Sequence, residues 1–379
     1  MKISPTQSDF LNLARWVAAW LVLAEHARSF IFENYGSLES PGIVAKAFYF
    51  MTGFGHEAVM VFFVISGYLV GGKAWTKIRT RKFRWKAFLC DRLSRLYAVL
   101  VVALVIGFLM DYSGSRFFNS FGIYDLGMEE PIPIVNQDFS QQIGPIEFFG
   151  NLAFTQTIFV ETYGSNGPLW SLANEWWYYI LFPLLVSTCI GSVRIRLISI
   201  VLAVGLVLVL TKPILVLFGV WLLGAAVAQL QRRLFPVWLA VLLFVAASVV
   251  ARLETLKIPF CDQFLLGAAI AVLLNSLYGR EKRYPFAGIS SRLADFSYTL
   301  YLLHFPFLAL FLSVLYSTFE LGLRMPFSVK GLSLFLISCG LSLGFAWLLS
   351  IPTESRTSVY RNQLYRIFRI ERETTPISH

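Results

Sequence analysis

A few polar side chains stand inside runs that are otherwise apolar, and their types and spacing point to chemistry. Arg15 and His26 lie in ARWVAAWLVLAEH. At about 100° per residue, eleven steps bring a helix round roughly three turns, so the two share a face about 16.5 Å apart along the axis. That face carries a fixed cation suited to a phosphate or an acyl carbonyl. Higher up it carries an imidazole suited to proton transfer near neutral pH. The plainer alternative has Arg15 snorkelling to an interface and His26 acting as a packing residue. Glu25 adjoins His26 but points about 100° away on an unbroken helix, so it is a poor orienting partner.

Further along, Arg92 and Arg95 in CDRLSRLY sit three residues apart on one face. Paired guanidinium forks match phosphate oxygens, although ordinary topogenic charge would also explain them. VFFVISGYLVGG offers Ser66 to line a cavity and Gly67 and Gly71 as a small-xxx-small packing step. Glu175, in NGPLWSLANEWWYY, falls about two turns inside an apolar run. A carboxylate there must be protonated, paired or wet. It suits orienting an imidazole or an acceptor hydroxyl, or pairing with an arginine. His304, in DFSYTLYLLHFPF, precedes Pro306, which would loosen the helix and free carbonyls toward a cavity. Ionisable groups in such surroundings are expensive and are functional candidates by default.

The elements that must carry these groups are membrane helices. The chain has 379 residues, 57% hydrophobic and 14% charged, against about 25% charged in a soluble domain. Too little polar surface remains to face water. Apolar runs suited to spanning fall at 10–32, 55–72, 88–110, 168–190, 196–211, 213–230, 235–251, 260–278, 296–318 and 330–351. The expected fold is all-α, a polytopic membrane bundle of about ten helices.

The net charge of +10 is distributed by side, which favours topology over nucleic-acid binding. Lys73, Lys77, Arg79, Arg81, Lys82, Arg84 and Lys86 follow the second run, and later connections on the same side hold Arg194, Arg196, Arg232, Arg233, Arg280, Lys282, Arg283 and Arg292. The tail adds Arg356, Arg361, Arg366, Arg369 and Arg372. The long connection 111–167 instead carries Asp111, Asp125, Glu129, Glu130, Asp138, Glu147 and Glu161 against Arg116. Both termini are therefore expected in the cytoplasm. Residues 1–352 form the membrane domain in this reading and 353–379 a basic cytoplasmic tail, solvated or lying on the membrane surface. Segment 146–159 is a candidate re-entrant or interfacial helix. The N-terminus lacks a cleavable-signal pattern, so the first run is expected to be retained. Cys90, Cys189, Cys261 and Cys339 form no CxxC pair, and no metal site is expected.

Taken in order, these segments resemble the acyltransferase 3 family of bacterial membrane proteins over about residues 9–351. The residues are Arg15 with His26, FFVISGYL (62–69), Arg92 with Arg95, WSLANE ending in Glu175, and YTLYLLH ending in His304. Two carboxylates common in the family are absent: Asn12 stands at one place and AVM (58–60) at the other. The appended hydrolase-like domain of many relatives is not expected after the last run.

The resemblance implies an O-acyltransferase of the bacterial inner membrane with no bound cofactor and with acyl-coenzyme A, acetyl most commonly, as co-substrate. It implies an extracytoplasmic glycan acceptor such as an exopolysaccharide or lipo-oligosaccharide. In that scheme Arg92 and Arg95 hold the donor phosphates and the pantetheine arm rises past Arg15. His26 is then the general base, or the carrier of a covalent acyl group. Glu175 orients the imidazole or the acceptor, and Ser66 and His304 line the cavity. The rival classes are a secondary transporter or flippase of an envelope precursor, a membrane acyltransferase of another fold, and a structural or sensory membrane protein.

Overall fold

A computed structural model describes residues 3–128, 130–319 and 324–370; Glu129 and Arg372 of the charge pattern lie outside them. Helices α1 (Pro5–Ile31), α2 (Ile43–Met51), α3 (Gly55–Ser66), α4 (Gly72–Arg79), α5 (Trp85–Phe117), α6 (Pro145–Leu152), α7 (Leu169–Ile190) and α8 (Val193–Val209) come first. They are followed by α9 (Lys212–Val227), α10 (Val237–Arg252), α11 (Cys261–Ser276), α12 (Ala287–Ala294), α13 (Ser297–Phe319), α14 (Val329–Ser350) and α15 (Thr357–Ile367). A helix stands at each apolar run of the sequence. Among the described residues, the stretches long and apolar enough to cross a membrane are Ile43–Arg79, Trp85–Phe117, Ser297–Phe319 and Val329–Ile367, with α9, α10 and α11 shorter but apolar. Bare apolar side chains such as Val201, Leu208, Trp238 and Leu348 face outward from α8, α10 and α14. Such faces are stable against lipid and costly against water.

The start of α1 is closely tied down. Ser4 and Gln7 form a capping box, with Pro5 in the first turn. Thr6 Oγ1 donates to the Arg280 carbonyl at 3.0 Å and Gln7 Nε2 to the Leu274 carbonyl at 3.2 Å. Buried Asp9 accepts from the Tyr284 N–H at 3.1 Å and pairs with Arg283 at 3.3 Å. These bonds fix α1 against the α11–α12 connection, and α1 then packs along α3 and α13.

Between α3 and α4 the helix widens into a π turn, Gly67–Gly71. Single π turns of this kind recur at functional sites. Here the turn lies against α9 with no room to spare. A Cβ on Gly67 would come within 1.9 Å of the Trp221 carbonyl oxygen, and one on Gly224 within 2.0 Å of the Val64 carbonyl oxygen. The small-residue step of the sequence is therefore an α3–α9 contact.

Pro306 has no N–H for the Leu302 carbonyl, as the sequence implies. That carbonyl does not face a cavity, however, which corrects the expectation. Buried Asn166 supplies the missing donor, with its Nδ2 at 2.8 Å. Asn166→Ala would leave a buried acceptor unpaired, and is expected to lower stability by about 1–3 kcal/mol. Thermal unfolding in detergent against wild type measures it; an unchanged midpoint would mean that water replaces the amide.

Connection 118–166 folds back over α13. Asp111 accepts from the Ser165 N–H at 2.8 Å and from its hydroxyl at 2.6 Å, and Gln137 Nε2 donates to the Thr162 and Gly164 carbonyls at 3.0 and 2.9 Å. Phe139 from this connection packs edge-on to Phe305. At the opposite end of the bundle, α15 lies along α5, and Tyr365 donates to Asp91 at 3.0 Å. Just before it, Glu354 accepts from the Thr299 N–H and hydroxyl at 2.9 and 3.0 Å and pairs with Arg15 at 3.5 Å.

Candidate active site

Arg15, Ser66, Arg92, Arg95 and Glu175 line one cavity of ≈ 260 Å³ at the basic end of the bundle. Its mouth also carries Lys73 and Lys77. α1, α3 with its π turn, α4, α5, α7 and the start of α13 each contribute walls, so residues far apart in sequence converge only through packing. Arg92 lies with its guanidinium 5.7 Å from the centre of the Tyr179 ring, and its Nε is buried without a hydrogen-bond partner. A buried donor left open on a cavity wall favours an anionic or carbonyl ligand there.

Glu175 is not the partner of His26. Its carboxylate accepts from the Tyr179 hydroxyl one helical turn on. Tyr179 in turn lies 3.2 Å from Ser66 Oγ, and the Trp221 indole N–H donates to Ser66 Oγ at 3.1 Å. An ionised carboxylate only accepts and an indole N–H only donates. The chain therefore runs one way, from Trp221 through Ser66 and Tyr179 to Glu175. Each bond polarises the next, and the carboxyl group is held at a fixed place in the cavity wall. Tyr179 was legible four residues after Glu175. Trp221 was not, because α9 meets α3 only in the folded chain.

His26 and His304 do not line this cavity. They form a pair of their own, with His26 Nδ1 at 2.8 Å from His304 Nε2 and the rings within 8° of parallel. His304 Nδ1 lies 3.0 Å from the Leu300 carbonyl. A carbonyl only accepts, so that nitrogen carries a proton. With both rings neutral, His304 Nε2 accepts from His26 Nδ1–H, and His26 Nε2 keeps a free lone pair. The pair thus has the logic of a base held in one tautomer by a second group, with a backbone carbonyl at its far end. Phe305 closes one side of the His26 ring edge-on at 5.0 Å.

Tyr301 stands between the cavity and this pair. It lines the cavity, its ring centre is 6.1 Å from that of His304, and its hydroxyl is 2.8 Å from Ser171 Oγ. The opposite neighbour of the Tyr301 ring is Phe62, at 5.4 Å. The sequence placed His304 in the same cavity as Ser66; in the structure Tyr301 lines that cavity and His304 does not. Tyr301 lies three residues before His304, a helical spacing that could have drawn attention to it.

Comparison with known proteins agrees with the order of the motifs. An uncharacterized protein of Haemophilus influenzae is 31% identical over 129 residues, which is 33% of this chain and 47% of that protein, so the chain spans about half of the relative's length. None of the solved structures matches. The acyltransferase domain family matches residues 8–351, nearly the whole chain, and the protein belongs to this acyltransferase 3 family of membrane proteins.

Proposed function

We propose that the protein is an O-acyltransferase that moves an acyl group, acetyl in the simplest case, from acyl-coenzyme A to a hydroxyl of an extracytoplasmic glycan. The observation that carries this reading is the pairing of a cation-lined cavity with a histidine pair one aromatic ring away. In this scheme all ten helices at the apolar runs cross the inner membrane, and both termini and the basic end face the cytoplasm. Arg92, Arg95 and Lys73 hold the donor phosphates as charge-assisted contacts. The pantetheine arm extends past Arg15 toward Tyr301, whose ring must swing aside for the thioester to pass.

His26 Nε2 then accepts the proton of the acceptor hydroxyl as its oxygen bonds to the thioester carbon. The C–S bond breaks, and the departing thiolate takes the proton back from His26. His304 keeps the imidazole in the required tautomer throughout. Glu175 holds its charge beside the arm and fixes Tyr179 against Arg92.

Protein in lipid nanodiscs, given radiolabelled acetyl-coenzyme A and envelope polysaccharide, tests the reading by formation of labelled ester. Arg92→Ala or Arg95→Ala is expected to raise the KM for the donor by about 10-fold or more, as loss of a charge-assisted contact would. The turnover number should change much less. Transport of polysaccharide without coenzyme A, and no ester, would replace this proposal with a flippase.

A further inference from the structure

A second cavity, of ≈ 540 Å³, opens at the other end of α1, where Glu25 reaches it one residue before His26. Its remaining walls are the start of α3, the end of α10 and the turn into α11. This part of the molecule plays no role in the scheme above.

Gly53 and Gly55 flank the turn into α3, and charged side chains lie against both. A Cβ on Gly53 would lie 2.2 Å from the Arg252 guanidinium, and one on Gly55 2.0 Å from Glu25 Oε2. Arg252 is committed to the carbonyls of Tyr49 and Phe50, at 3.3 and 3.4 Å, and Glu25 pairs with Arg28 at 3.7 Å. These charges therefore serve as fixed walls.

Two others are open. Glu57 Oε2 and Asp262 Oδ1 are buried and have no hydrogen-bond partner, and both side chains line the cavity. They come from different helices, α3 and α11, so no local turn explains them together. A buried carboxylate oxygen without a donor is costly unless a ligand supplies one. The other polar groups here are the carboxylate of Glu254 and the donors Lys257 and Gln263, and Gln263 lies 3.2 Å from His56 Nε2. The His56 ring stacks on Trp170, and Phe260 adds an aromatic wall.

The ligand that fits must offer several O–H donors and a few acceptors, and must not be an anion. A phosphate would meet the open carboxylates, and an acyl chain would leave them unpaired. We propose that this cavity is the acceptor site and takes a neutral, hydroxyl-rich segment of a carbohydrate, with two sugar hydroxyls donating to Glu57 and Asp262. The proposal rests on the acyl-transfer reading and adds to it where the acceptor is held. It also has the donor and the acceptor enter from opposite ends of α1.

The test uses full-length protein in nanodiscs, acetyl-coenzyme A, and polysaccharide stripped of its esters by mild base. Glu57→Gln and Asp262→Asn are expected to raise the acceptor KM about 10-fold or more. The donor KM and the slow hydrolysis of acetyl-coenzyme A by water should stay within about twofold, since no donor contact is touched. As a second measurement, Ile258→Cys places a thiol on an exposed wall residue, and stripped polysaccharide should protect it from maleimide. An active wild type whose variants keep the acceptor KM, or a thiol labelled equally fast with and without polysaccharide, overturns the site. A wild type that releases no coenzyme A and esterifies no carbohydrate overturns the acyl-transfer reading itself.

Discussion

His26→Ala is expected to lower acyl transfer by about 10²–10⁴-fold, the range that a positioned general base supplies, with coenzyme A binding intact. The reason is the tautomer chain. The Leu300 carbonyl fixes the proton on His304 Nδ1, His304 Nε2 fixes the proton on His26 Nδ1, and the remaining lone pair belongs to His26 alone. The ring neighbours of that imidazole are His304 and Phe305. His304→Ala should fall between wild type and His26→Ala, because it frees the tautomer and the ring angle but leaves the base. His304→Gln offers His26 an amide oxygen and should recover part of the loss. The measurements are turnover of labelled acetyl-coenzyme A and coenzyme A binding by calorimetry on the same preparations. Near-normal turnover in His26→Ala would remove the imidazole from the mechanism.

The second large effect is on stability. Gly67→Ala places a methyl 1.9 Å from the Trp221 carbonyl oxygen. The obstacle is backbone, which cannot rotate away as a side chain would, so α3 and α9 must separate. Overpacking of this sort costs about 1–3 kcal/mol and occasionally more, and the upper end is expected here. Trp221 also donates to Ser66, so the shift runs into Tyr179 and Glu175. Gly340→Ala is the control: it is a helical glycine with nothing within 4 Å. That change should stabilise by about 0.4–1 kcal/mol through the unfolded chain. Thermal unfolding of both variants in one detergent compares them. Equal midpoints would show that the π turn relaxes freely.

The helices were legible because lipid exposure writes itself into composition: a face such as Val201 and Leu208 on α8 can contain nothing else. The short helices α12 and α15 were not, since they carry mixed residues, and neither was α2, which is apolar but too short to span. The cavity residues Arg15, Ser66, Arg92, Arg95 and Glu175 were legible for a related reason. A charged or polar group in such a run must have a purpose or a partner. What the sequence could not show was which partner. His26 and His304 were each singled out, but their pairing depends on how α1 meets α13. Glu175 was read as orienting an imidazole or an acceptor hydroxyl, or pairing with an arginine, while its neighbour stood one turn away at Tyr179. Pro306 correctly signalled a freed carbonyl; only the folded connection 118–166 reveals Asn166 as its donor.

The ion pair between Arg15 and Glu354 has a consequence for biogenesis. The cation is made with α1, and the anion that balances it follows only after α14. Until then the guanidinium sits within the bundle without its counter-charge, a state that costs several kcal/mol in such surroundings. The basic end of the bundle is therefore completed only once the stretch after α14 has been made, and chains released before it carry that charge uncompensated.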